Sequence, residues 1–232
     1  IDGQTDEKTG PLLETVLKPL WNAYVVLKRE RDRRHPLDLD MPERKILLTP
    51  EGKVDRVVTP ERLDAHRLIE EFMIQANVAA AETLEKRRQP LIFRVHDQPS
   101  LAKQEVLREF LATLGLSLAR GAAVRAAGQP HQIMVNEMVL RSQSQAIYSP
   151  ENIGHFGLNL LKYAHFTSPI RRYADLIVHR ALVASLGLGE GDITATEDAE
   201  LDSIAAEISI SERRAMAAER ETVDRLVAHH LA

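Results

Sequence analysis

The sequence predicts an α+β domain, mostly helical with a small β component, and three observations carry that expectation. Apolar residues recur every three to four positions through several long segments, the spacing of one buried helix face. Only short runs, "KILL", "VDRVV" and "LIFRVH", have strand character. The composition is that of an ordinary globular chain: 44% hydrophobic and 28% charged over 232 residues, enough to bury a real core, without repeats or low-complexity tracts.

Residues 1–10, "IDGQTDEKTG", are polar and read as a flexible entry loop. From Pro11 to Arg34, Leu13, Val16, Leu17, Leu20, Tyr24 and Leu27 fall at helical spacing, with Pro19 a candidate kink. "KILL" and "VDRVV" flank a "TPEGK" turn and predict a hairpin. A long helix follows from about Pro60 to Arg87, with Leu68, Ile69, Phe72, Met73, Ala76 and Ala80 expected on its apolar face. Leu91–His96 is a strand candidate, and Ser100 caps the amphipathic "LAKQEVLREFLATLG". "QIMVNEMVLRSQ" is another helix, after which Pro and Gly divide the chain into short extended pieces up to Pro169. Ser168 as cap and Pro169 inside it predict a helix over 170–187, closed by Gly187. Residues 187–195 read as a flexible Gly-rich link, and an Ala- and Glu-rich helix runs from about Glu197 to the end.

Bulk properties narrow the function. The net charge is −4, so a nucleic-acid contact would need a local basic site rather than a bulk field. Cysteine is absent, which excludes disulfides and Cys-based zinc sites. No apolar run is long enough to span a bilayer and no signal peptide is visible, so the expected location is cytoplasmic, away from membranes. The chain starts at Ile1 rather than Met, as a processed, excised or truncated chain would.

The segment "YAHFTSPIRRYADLIVHRAL" concentrates the unusual chemistry. A helix beginning near Pro169 would carry Arg171 and Arg172 in its first turn, where the macrodipole favours acids and disfavours cations. Two readings stand side by side. Arg171, Asp175 and His179 at four-residue spacing could form a surface ladder of ion pairs, with Asp175 holding Arg171 or Arg172. Alternatively, helix N–H groups and the two guanidinium forks converge on an external anion, most simply a phosphate. Tyr163, Phe166 and Tyr173 could then stack bases, with Thr167 and Ser168 as further donors.

That segment resembles the signature of the ribonuclease II and ribonuclease R family catalytic domain, the RNB domain. "LIEEFMIQANVAAA" (68–81), "FRVHDQPS" (93–100), "QAIYSPENIGHFGLNL" (145–160) and "SERRAMAAERETVDRL" (211–226) fall in the order the family shows, and the second and third look most like ribonuclease R. The resemblance implies a partial RNB fold and degradation of single-stranded RNA from the 3′ end to nucleoside 5′-monophosphates, with Mg²⁺. It implies Arg171 beside the scissile phosphate and Glu70 near the terminal ribose, the choice of Glu70 over Glu71 staying open. Tyr163, His165, Thr167, Ser168, Arg172 and Tyr173 would line the RNA channel. Arg172 would bind a neighbouring phosphate or pair with Asp175. His96 and His155 read as hydrogen-bonded structural residues, and Glu212 and Glu219 as structural glutamates with helical arginine partners. No residue reads as a metal ligand: the Asp-rich motif that supplies the family's carboxylates is not found, and Asp38 and Asp40 match a different part of the pattern. The chain is therefore expected to be the C-terminal portion of an RNB domain, inactive alone and prone to self-association. The alternative is a catalytically inactive RNA-binding or protein-interaction module on the same scaffold.

Overall fold

The computed structural model describes residues 5–39, 41, 44–117 and 131–231; the first residues of the entry loop and Asp40 lie outside them. The first expected helix is three helical pieces. A 3₁₀ turn (Gly10–Leu12) passes into a π-helical turn (Leu13–Leu17) and then into α1 (Lys18–Arg34). Pro19 sits at the start of α1, where its missing N–H costs nothing, rather than at a kink. The hairpin is as expected: β1 (Lys45–Leu48) and β2 (Val54–Val58) pair antiparallel around Gly52, whose φ of 79° the turn requires. Helix α2 (Asp64–Lys86) is followed by β3 (Phe93–Val95), α3 (Leu101–Thr113) and α4 (Gln132–Ser142). Strand β4 (Ile147–Ser149), α5 (Tyr173–Leu186), α6 (Ala195–Ala199) and α7 (Leu201–Leu231) complete the chain. The last expected helix thus divides at Glu200. A reciprocal Thr194–Glu197 capping box starts α6.

The centre is β3, which pairs antiparallel with β4. Its alternation serves two cores. Leu91, Phe93 and Val95 face Ala80, Ala81 and Leu84 of α2 and Val178 and Ala181 of α5. Ile92 faces the other way, into Tyr148, Ala174, Ile177, Leu201 and Ala205. A satellite cluster joins α3 to α4 through Leu107, Leu111, Val135 and Val139. The Gly-rich link is tethered: Arg180 donates to the carbonyls of Gly191 and Asp192 and pairs with Glu197. No helix among the described residues is long and apolar enough to cross a membrane.

The face expected to be buried on α2 needs correcting. Leu68 and Ala80 are buried as expected, but Ile69 and Met73 are exposed, and Glu71, Ile74, Asn77, Ala81 and Leu84 complete the buried stripe. Both stripes have helical spacing, so periodicity cannot say which one meets the core. The exposed one borders a cleft.

Candidate nucleic-acid cleft

Helix α5 begins at Tyr173, three residues later than the sequence predicts, and the reason is Asp175. Its carboxylate occupies the first helical turn, where the macrodipole favours an acid. Oδ1 accepts the Ser168 N–H at 2.7 Å, which folds residues 168–172 into a turn ahead of the helix. The Ser168 carbonyl in turn accepts the N–H groups of Arg171 and Arg172, each at 3.2 Å. The two arginines therefore stand outside the helix, with Arg172 at its extended N-cap position. The expected conflict with the dipole does not arise.

The ladder of Arg171, Asp175 and His179 does not form either. Arg172 is the partner of Asp175: its Nη2 donates to Oδ1 at 2.8 Å, and Nε lies 2.7 Å from Oδ2. His179 instead contacts the Phe166 carbonyl through Nε2 and stacks on the Phe166 ring at 4.3 Å. The Arg171 side chain is exposed and makes no hydrogen bond or ion pair with the described residues. Its neighbour Ile170 is 98% exposed.

Between α2 and this loop lies a cleft of about 490 Å³. Ile69, Glu70, Met73 and Asn77 line it from α2, and Tyr163, Thr167 and Arg172 from the loop. Asn77 ties the two sides together. Its Nδ2 donates to the Tyr163 hydroxyl at 3.0 Å, while Oδ1 accepts the N–H of Phe166 at 2.8 Å and of Thr167 at 3.3 Å. The Thr167 hydroxyl is buried against the cleft without a hydrogen-bond partner among the described residues. Of the sequence-predicted residues, Glu70, Tyr163, Thr167 and Arg172 line the cleft. Arg171, His165, Ser168 and Tyr173 do not, although Tyr173 is exposed at the head of α5.

The carboxylate pair on α2 divides. Glu71 is 1% exposed and accepts from Arg31 Nη1 at 2.5 Å, so it is a buried ion-pair member rather than solvated surface. Arg31 also reaches Asp38 at 3.2 Å and Glu70 at 3.6 Å. Glu70 pairs with Arg62 as well, and it alone of the two faces the cleft.

Behind the cleft a polar network sits between the sheet and α7. Arg94 lies 4.6 Å over the Tyr148 ring and donates to Glu212 at 2.7 Å. Glu212 is structural as expected, but its partner comes from β3 rather than from its own helix. The Tyr148 hydroxyl meets His165 Nδ1 at 2.9 Å. Burial first, and then the positive charge of Arg172 and Arg94, lowers the His165 pKa to about 3. Burial and its neighbours His96 and Arg94 lower that of His155 to about 4. Burial pushes the Tyr148 hydroxyl up to about 12. Both histidines are thus neutral at physiological pH. His96 and His155 have the expected structural bonds: His96 Nδ1 accepts the Gly157 N–H, and His155 Nδ1 that of Leu158.

The donor set does not fit a divalent metal site. Among the described residues Glu70 is the only carboxylate lining the cleft, and it already faces two arginines, while Asp175 is engaged by Ser168 and Arg172. Among the described residues no group of three or more His, Cys, Asp or Glu side chains could hold a metal ion. What the cleft can do chemically is hold an anion on one wall and a hydroxyl-bearing group on the other.

Sequence reasoning missed Asn77 and Arg31. Asn77 carried a signal, a lone amide within an apolar helical stripe, whose burial demands partners. Arg31 carried none, because its carboxylate Glu71 lies 40 residues away.

Comparison with known proteins identifies the family and the fold. A family model described as the RNB domain matches residues 1–187. Ribonuclease R of Escherichia coli is 40% identical over 96% of the chain, which spans only 30% of that protein's length. Two solved structures of Mycoplasma genitalium RNase R superpose over 91% of the chain at 26% identity. One is the apo form, with a TM-score of 0.82 over 35% of its length; the other, bound to ribose-methylated single-stranded RNA, has a TM-score of 0.80, also over 35%. The mostly helical architecture with few short strands is that of RNase R.

Proposed function

The chain belongs to the RNB domain family, and on that premise we propose that it is the C-terminal portion of the catalytic domain of a 3′-to-5′ exoribonuclease. The substrate is single-stranded RNA, hydrolysed to nucleoside 5′-monophosphates. The observation that carries this reading is a cleft with opposed chemistry, Arg172 on one wall and Glu70 on the other. A guanidinium fork suits a phosphate, and a carboxylate can accept from ribose hydroxyls, the feature that separates RNA from DNA.

Arg171 is assigned to the scissile phosphate. Among the described residues no side chain claims its charge, and a fixed turn presents it one residue from a cleft-lining arginine. Phosphoryl transfer gathers negative charge on the equatorial oxygens, where one well-aimed donor is worth roughly 3–4 kcal/mol. Tyr163 and Thr167 shape the channel beside Arg172, and exposed Tyr173 offers a ring for base stacking. His165 and Ser168 act from behind, supporting the channel wall through Tyr148 and Asp175.

Mg²⁺ supplies activation of water and stabilisation of the leaving oxygen. Its ligands are assigned to residues outside this chain, which alone would then be inactive. The enzyme is placed in the cytoplasm. Exposed Leu101, Leu161 and Ile170 favour self-association of the isolated chain, which sedimentation velocity reads directly. The deciding experiment is Arg171→Ala in the full-length enzyme. Turnover should fall far more than RNA affinity, because the contact strengthens in the transition state. Equal losses in both would refute the assignment.

A further inference from the structure

We propose that Asp175 is the positioning residue of the RNA-phosphate site: it touches no RNA itself but sets the aim of Arg172 and the shape of the turn that bears Arg171. This rests on the phosphate-site reading above and extends it to a residue that neither lines the cleft nor faces solvent.

Asp175 is 0% exposed. A buried carboxylate persists only when paired and hydrogen-bonded, and this one is engaged by two groups from the same loop. The Ser168 N–H at 2.7 Å draws in the start of the turn, and the Arg172 Nη2 hydrogen bond at 2.8 Å, with Nε in ion-pair contact with Oδ2, fixes its end. A free arginine side chain carries substantial rotamer entropy. Holding the guanidinium on the buried carboxylate before RNA arrives removes part of that cost from binding. The same carboxylate neutralises Arg172 enough for it to sit half-buried in the cleft wall, while Arg171 keeps its charge unshared. Asn77 braces the preceding residues from the opposite side, so the loop is held at both ends.

This role makes a prediction opposite in sign to simple electrostatics. Asp175→Asn removes a negative charge next to a phosphate site, which by charge alone should tighten RNA binding and steepen its salt dependence. If Asp175 positions Arg172, the variant should bind more weakly. The test titrates the full-length enzyme, held in EDTA so that it does not cleave, with labelled oligoadenylate RNA across a salt series. Asp175→Asn is expected to lose roughly tenfold in affinity, the share of one charge-assisted contact. The slope of log K against log salt should become shallower by about 0.7, one phosphate contact on a single strand. Arg172→Lys keeps the charge but not the fork, is half-buried rather than buried, and should reproduce both changes. Adding Asp175→Asn to Arg172→Lys should then change nothing further.

Unchanged or tighter binding by a folded Asp175→Asn overturns the proposal. If thermal unfolding shows that this variant does not fold, Arg172→Lys decides: full affinity overturns the proposal, a tenfold loss upholds it. Failure of the underlying reading looks different. In that case the wild-type chain shows no salt-dependent binding, or Arg171→Ala and Arg172→Ala both leave it unaltered.

Discussion

The two walls of the cleft solve the same problem in opposite directions. Each is anchored by an arginine bound to a fully buried carboxylate, Arg172 to Asp175 on the loop wall and Arg31 to Glu71 beneath the α2 wall. On the loop side one carboxylate pairs with Arg172 alone of two adjacent arginines, so one positive charge is left over, on Arg171 beside the cleft. Under the α2 wall one arginine faces Asp38, Glu70 and Glu71, and Glu70, which also pairs with Arg62, is the acid that borders the cleft. On the proposed reading, surplus charge rather than total charge decides what each side offers: a cation for phosphate and an acid for sugar. A chain with net charge −4 can therefore carry a nucleic-acid site.

The sharpest way to break the comparison is to remove an anchor. Arg31→Met strands Glu71, whose Oε2 has no hydrogen-bond partner among the described residues, and should cost about 3–5 kcal/mol in denaturant unfolding. Arg172→Met should cost less, since Asp175 keeps the Ser168 N–H. The double variant Arg31→Met/Glu71→Met should recover most of the loss, and equal destabilisation by single and double variants would show that the pair is not the anchor.

Next in size is the effect of acid on the loop wall. His165 and His155 titrate near 3 and 4 in the folded chain against 6.5 ordinarily. The unfolded chain therefore takes up protons that the folded one refuses. Their contribution is complete above about pH 6.5 and is lost as the pH falls from there toward the folded values, on the order of 1.4 kcal/mol per pH unit for each ring. Urea unfolding at neutral pH and at about pH 5 should show the drop, and His165→Gln should shrink it. An unchanged drop would mean that carboxylates, not these rings, set the acid limit.

Smaller effects concern ligand. Arg171→Ala should leave stability within about 0.5 kcal/mol while making the salt dependence of RNA binding shallower by about 0.7. Smallest is Glu70→Gln, expected to reduce the preference for RNA over DNA oligonucleotides a few-fold, by about 0.5–1.5 kcal/mol, with little change in overall affinity. If the preference is untouched, the sugar assignment of the α2 wall is wrong.

Much of this was legible in the chain because it depends on local order. The hairpin around Gly52, the Ser100 cap and the Gly187 stop each follow from residues within a few positions of one another. The signature around Arg171 was equally visible. Errors arose where local rules allowed two answers. Pro169 was a plausible helix start until a carboxylate seven residues from Ser168 claimed that N–H. Ile69 and Met73 had core spacing yet line the cleft.

By itself, the order of residues determined the helical character, the small strands and the family to which the chain belongs. These rest on periodicity and contiguous motif, which need no partner from afar. Only the tertiary structure decided which glutamate of the 70–71 pair is buried, which arginine of the 171–172 pair is tethered, and that Arg94 meets Glu212 across 118 positions. A charged side chain's state is set by what surrounds it when water is removed, and those surroundings are assembled from remote parts of the chain.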